Sequence, residues 1–109
     1  MPEISFKEFQ NLDLRVGKII SVEEIPKARS LLKLLVDFGT EQRQSVAGIK
    51  QYYKPEDIIG KKYVFILNLE KKTMMGIESQ CMILAAEDPS GKVVLIAPEK
   101  DVAEGSKVT

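Results

Sequence analysis

The sequence predicts an all-β domain: a five-stranded Greek-key barrel with short helices and extra segments at both ends. Three observations carry that expectation. Five short apolar or alternating runs are separated by turn residues. No periodic segment is long enough for an ordinary helix. The one helical turn expected inside the barrel, Pro55-Glu56-Asp57-Ile58, falls between the third and fourth runs. All 109 residues read as one domain, 1–109, with chain enough for one hydrophobic core and too little for two.

Taken in order, Ser5-Phe6-Lys7-Glu8 has the spacing of a capping box, in which each side chain satisfies a backbone donor at a helix start, so a short helix is expected near 5–10. From Leu14 the pattern alternates, with Leu14, Val16, Lys18, Ile20 and Val22 on one side and Arg15, Gly17, Ile19 and Ser21 on the other, which is a strand. Pro26 and the polar stretch to Ser30 end it. Leu31 to Phe38 form a second strand closed by Gly39, and Gln44–Ala47 a third. Proline at a first helical position suits a turn beginning at Pro55, with Gly60 closing it. Lys61 to Leu69 is the fourth strand and Cys81 to Ala86 the fifth, with Glu70–Gln80 between them as an irregular loop. Asp88-Pro89-Ser90-Gly91 is a turn leading to Val93–Ala97. This is the order of an OB fold. The segments before residue 12 and after residue 88 fall outside its five strands, free to pack on the barrel or on another chain.

Composition removes most enzyme classes. The chain has no histidine, which excludes Ser-His-Asp and Cys-His nucleophile pairs and the common zinc sites. It has no phosphate-binding glycine loop, no dinucleotide turn and no nucleophile elbow, so no catalytic residue, metal site or cofactor is expected. The acidic doublets Glu23-Glu24, Glu56-Asp57 and Glu87-Asp88 read as solvated faces. Cys81 is the single cysteine and reads as a small core residue. No apolar run approaches the roughly 20 residues needed to span a bilayer, and Met1-Pro2-Glu3 does not open a secretion signal, so the expected location is cytoplasmic.

The formal charge is zero, but it is unevenly spread. Residues 1–25 carry 3 basic and 5 acidic groups, residues 26–72 carry 10 and 5, and residues 73–109 carry 3 and 6. A basic island within a neutral protein points to one surface for an anionic partner. Lys33 interrupts an apolar strand opposite Leu32, Leu34 and Val36, so one face of that strand is expected to be wet. Lys33 and Arg43 then become candidate phosphate contacts, because the second and third strands of OB barrels present ligand-binding faces. Tyr52 and Tyr53, beside Ile49 and Ile58, read as packing residues.

Three ordered stretches add a resemblance. Phe9-Gln10-Asn11-Leu12-Asp13-Leu14-Arg15-Val16-Gly17-Lys18-Ile19 is the first. Val36-Asp37-Phe38-Gly39 through Ser45-Val46-Ala47-Gly48-Ile49 is the second. The third runs from Gly60-Lys61-Lys62 through Asn68-Leu69 and Gly76-Ile77-Glu78-Ser79-Gln80-Cys81-Met82 to Ala86. Together they resemble the tRNA-binding domain shared by methionyl-tRNA synthetase C-terminal extensions and stand-alone structure-specific tRNA-binding proteins. The resemblance covers nearly the whole chain and implies the same OB fold. Two departures are specific. The loop after the first strand reads Ile25-Pro26-Lys27-Ala28-Arg29-Ser30-Leu31 where the family has His-Pro-x-Ala-Asp-Lys-Leu, and Lys71-Lys72-Thr73-Met74-Met75-Gly76 lacks the family's arginine before the glycine.

The resemblance implies a tRNA surface containing Asn68, Ser79 and Met82 with the basic loop of Lys71 and Lys72. Each residue type also has a structural use: serine and asparagine as turn formers, methionine as core, a lysine pair as solvated surface. The function implied is structure-specific, sequence-independent tRNA binding as a non-catalytic accessory of methionyl-tRNA synthetase. The alternative is a dimeric protein-binding chaperone or secretion helper of the same fold. A homodimer is expected because Phe6, Phe9, Leu95 and Val108, with Val93, Val94 and Ile96, lie outside the core strands, and the family's end segments form a two-fold interface.

Overall fold

The computed structural model describes residues 1–109. Strand accounts for 39% of the chain and helix for 8%, which makes the fold all-β. Helix α1, Phe6–Gln10, opens on the capping box anticipated above: Ser5 Oγ accepts from Glu8 N at 3.1 Å, and Ser5 N donates back to the Glu8 carboxylate at 3.2 Å. Strands β1 (Leu14–Glu24), β2 (Leu32–Asp37) and β3 (Gln42–Ala47) form an antiparallel meander. The turn α2, Pro55–Ile58, leads to β4 (Lys62–Ile66), which pairs with the other side of β1. Strands β5 (Lys72–Met74) and β6 (Ile77–Ser79) make a separate hairpin, β7 (Met82–Ile83) pairs with β4, and β8 (Ala85–Glu87) pairs with β9 (Val93–Leu95). The main sheet has the order β3-β2-β1-β4-β7, and it curls until its outer members meet as a nearly closed, OB-like barrel.

The two outer members meet at a seam made largely of side chains. Gln80 N donates to Gln44 O at 2.9 Å in ladder fashion. Around that bond, Gln44 N donates to Gln80 Oε1 at 3.1 Å, Val46 N donates to Ser79 Oγ at 3.0 Å, and Ser45 Oγ donates to Cys81 O at 2.8 Å. Side-chain oxygens thus stand in for main-chain partners where the strands diverge, which satisfies buried polar groups that an open barrel would leave bare.

Inside lies one cluster built from alternate residues: Leu32, Leu34 and Val36 from β2, Tyr63 and Phe65 from β4, and Ile58 from α2 closing one end. Phe38 meets Phe65 edge to face, with ring centroids 5.5 Å apart at 88°. Cys81 belongs to this cluster, as its sequence context suggested, and burial pushes its thiol pKa up to about 11. Gly17 is required at the crossing of β1 and β2, because a Cβ there would stand 2.5 Å from Val36 Cγ1 and 2.6 Å from the Phe38 ring.

Four expectations are corrected. Strand β1 does not alternate throughout: the register steps from Ile19↔Val36 to Ser21↔Leu35, leaving Ile20 as a bulge. Ile19 is therefore fully buried and Ile20 exposed, the reverse of the simple period-2 reading. The stretch Glu70–Gln80 is not irregular, since its hairpin turns on Met75 and Gly76, both at positive φ, as a two-residue turn demands. The fifth strand is broken into β7 and β8 around Leu84. The last segment is not outside the core: Leu95 is buried, its N–H donates to Tyr53 Oη at 3.0 Å, and it packs in the main cluster rather than standing free at an interface.

The remainder of that segment is a strap along β1. Val16 N donates to Ser106 O at 2.9 Å, Gly105 N to Val16 O at 2.8 Å and Val108 N to Leu14 O at 2.9 Å. Lys62 fastens it electrostatically, with Nζ 2.7 Å from Asp101 and 3.0 Å from Glu104. Hydrogen bonds that Lys62 donates to those carboxylates hold its pKa up, and the same bonds hold both carboxyls down.

Candidate functional site

Between the β5–β6 hairpin and the seam lies a groove of about 420 Å³. Leu31, Val46, Leu69, Met74, Met82 and Ile83 are among its apolar walls, with Cys81 and Ala47 also lining it and Lys72 and Glu70 as its charged members. The hairpin owes its position to a small second cluster, in which Met74 and Ile77 pack on Ile25, Ala28 and Val46. The groove is thus the gap between a barrel strand and a hairpin laid across it, the face on which OB barrels take ligands.

The structure sorts the residues singled out in the sequence into two groups, with Ser79 belonging to both. Lys72, Ser79 and Met82 line the groove, and Lys71 directly precedes Lys72 on an exposed stretch. Met82 is 48% exposed while Ile83 beside it is buried, so Met82 is a lip rather than core. Lys33 sits opposite Val46 in the β2–β3 register and so shares its face, half-buried between Glu23 and Val46. Neither Lys33, Lys71 nor Lys72 forms an ion pair within the chain, whereas Lys50, which follows the lining residue Ile49, is held by Glu24 at 3.4 Å and Ala28 O at 3.2 Å. Three cations are therefore free for a polyanion.

Arg43, Asn68 and Ser79 are already engaged. Arg43 Nη1 donates to Leu67 O at 2.8 Å and to Gln80 O at 3.3 Å, and its Nε meets Glu41 at 2.8 Å. Asn68 Oδ1 accepts from Asp13 N at 2.8 Å while its Nδ2 donates to Asn11 O at 2.6 Å, which clips the α1–β1 connection to the end of β4. Ser79 Oγ, besides accepting from Val46 N, donates to Cys81 O at 3.0 Å. A phosphate reaching any of these would compete with internal partners. Of the adjacent pair Tyr52 and Tyr53, Tyr53 packs against the core as expected, but Tyr52 is exposed.

Sequence reasoning missed Leu31, Gly48, Leu69 and Gln80 as groove residues. No local signal marks them: each is an ordinary strand-end or loop residue until the hairpin folds over. A second, more open cleft gathers Lys18, Lys61, Lys62 and Lys100, but Glu99, Asp101 and Glu104 lie among them and offset most of the charge. No helix is long and apolar enough to cross a membrane, and no cluster of three metal-ligating side chains occurs.

Comparison with known proteins follows the same lines. Residues 14–107 match the family model described as "Putative tRNA binding domain". The methionine–tRNA ligase of Methanocaldococcus jannaschii is 51% identical over 108 residues, which is 99% of this chain and 17% of that enzyme. The chain therefore spans about one-sixth of the length of the curated relative it matches. Among solved structures, a MetRS-related protein from Pyrococcus horikoshii superposes with a TM-score of 0.95 at 39% identity, with both chains fully covered. The chaperone CsaA from Bacillus anthracis superposes at 0.88 and 34% identity, covering 99% of this chain and all of that one.

Proposed function

This chain belongs to the tRNA-binding domain family, and from that premise we propose that it grips tRNA by shape, as a non-catalytic accessory of methionyl-tRNA synthetase. The observation that carries the reading is the groove, an apolar slot with the unpaired Lys72 on its wall, Lys71 next to Lys72 in sequence and Lys33 opposite the lining residue Val46. Phosphate attraction to Lys33, Lys71 and Lys72 would set affinity, and the walls around Met82 would set the fit. A module of this kind serves an enzyme by raising the local concentration of its substrate. The test is a titration of the protein with bulk tRNA and with an RNA hairpin of equal charge. The proposal expects tighter binding of tRNA, and equal binding would overturn it.

Two further expectations follow from the same surface. Affinity should be steeply salt-dependent despite the zero net charge. With roughly one phosphate neutralised by each of these three lysines, log affinity should fall against log salt with a slope of about −2 to −3, and a flat response would reduce the lysines to ordinary surface. Met82→Ala should leave folding stability within about 0.5 kcal/mol, since an exposed side chain leaves no cavity, while lowering tRNA affinity several-fold. Loss of stability with affinity retained would remove Met82 from the site.

We also read the molecule as a homodimer. Phe6 is 71% exposed although it stacks on Phe9 at 6.4 Å between centroids, and Val94 and Ile96 are exposed beside buried Leu95. Val108 is half-buried and already tied to Leu14, so it contributes less than its sequence position suggested. Light scattering at micromolar concentration should give twice 12.2 kDa, and the monomer mass would defeat this expectation. A protein-binding role is the second reading, favoured by the likeness to CsaA. An apolar groove also suits an extended peptide, and salt-insensitive binding of unfolded polypeptide would bring that reading forward.

A further inference from the structure

The groove has features that a purely electrostatic tRNA grip does not use. Its walls are aliphatic and thioether side chains, and its volume of about 420 Å³ falls within the roughly 300–1,000 Å³ typical of small-ligand sites. Phosphates have no use for such walls. Gly48 and Ile49, both lining the groove, donate no main-chain hydrogen bond within the chain. Two residues of the apolar slot thus keep an unpaired N–H donor, and its charged members are Lys72 and Glu70, with Lys71 between them in sequence. A planar, apolar-faced group with acceptors on its edge and a phosphate on either side satisfies all three features. That is an unstacked nucleotide.

Resting on the tRNA-binding reading above, we propose that the groove seats one unpaired base of the RNA, its faces against Met82 and Leu69, with the flanking phosphates on Lys71 and Lys72. A paired base cannot enter, because in an A-form duplex it is stacked on both faces and its deep groove is too narrow for side chains. No aromatic side chain lines the slot, so it holds a base without the strong stacking that aromatic platforms supply. Walls of this chemistry accept any of the four bases, which agrees with binding that reads form rather than sequence. Gly48 is where the slot can be closed: a Cβ there meets nothing within 4 Å, and its φ is unexceptional, so a larger side chain extends into open space without disturbing the barrel.

The experiment uses two RNA hairpins of equal length and charge, one with a single bulged 2-aminopurine and the other with that base paired. The bulged hairpin should bind at least about tenfold more tightly, the discrimination that one well-buried group supplies, and its fluorescence should change on binding. Gly48→Leu should abolish the preference by lowering the affinity for the bulged hairpin to that of the paired one. Met82→Ala, which adds no charge to the exposed lip, should lower the preference by weakening binding of the bulged hairpin and serves if Gly48→Leu proves unstable by thermal melting. Equal affinity of wild type for both hairpins, while it still binds tRNA, overturns this inference alone. Failure to bind tRNA at all overturns it together with the function on which it rests.

Discussion

Gly105→Ala is expected to destabilise the protein by about 2–4 kcal/mol, by combining left-handed backbone strain with a close approach that cannot relax. Gly105 holds φ +87°, and a Cβ on it would overlap the carbonyl oxygen of Phe38. A flexible side chain could move aside, but a carbonyl anchored at the end of β2 cannot. The strap carrying Gly105 would then have to lift from β1, giving up the Gly105–Val16, Ser106–Val16 and Val108–Leu14 main-chain bonds. Gly91 supplies the control, since its φ is +88° but a Cβ there has open space. Gly91→Ala should cost only the strain, about 1–2 kcal/mol. Urea denaturation midpoints of the two variants separate the contributions. If they coincide, the strap is not seated against Phe38 as described.

Ser79→Ala is expected to cost about 1–3 kcal/mol of stability, the penalty for stranding a buried donor, and to weaken tRNA binding as well. The resemblance alone would assign Ser79 to tRNA contact and expect stability to be spared. Its hydroxyl instead bridges Val46 N and Cys81 O across the seam, and removing it leaves the Val46 amide without a partner on a residue that is 5% exposed. Ser45 still reaches Cys81 O, so the carbonyl keeps one donor. The seam also forms part of the groove, and loosening it alters the walls around Met82. Thermal melts and tRNA titrations of Ser79→Ala and Ser79→Thr decide the matter. Threonine retains the hydroxyl and should recover most of the stability, whereas an alanine variant as stable as wild type would show the bridge to be idle.

The parts of the fold that are legible in the sequence are those determined locally. The capping box at Ser5, the proline-led turn at Pro55 and the alternation of Leu32, Leu34 and Val36 each depend on neighbours a few residues away, and each stands where expected. The bulge at Ile20 does not announce itself, because Ile19 and Ile20 are identical in type and only pairing with β2 decides which turns inward. The β5–β6 hairpin was hidden by Met75, a residue that seldom adopts positive φ, and by packing on Ile25 and Ala28 some fifty residues earlier. Leu95 looked peripheral for the same reason: its place in the core depends on Tyr53, which is distant in sequence. At the site, the lysines could be found by charge alone. The apolar walls between them exist only once hairpin and barrel meet, and the internal engagements of Arg43 and Asn68 are tertiary in origin.

The seam has one more consequence, through the thiol beside it. Cys81 is the only cysteine and is buried where the two outer members of the sheet join, with its Sγ 3.9 Å from Gln44 O. With its pKa near 11, the thiol at neutral pH is almost wholly protonated as well as shielded, and so doubly protected from alkylating agents. Parting of the seam would lift both protections together, by admitting reagent and by restoring an ordinary acidity. The protein thus carries a built-in clock for the excursions of its own barrel, wound by burial and read by the rate at which a single sulfur becomes reactive.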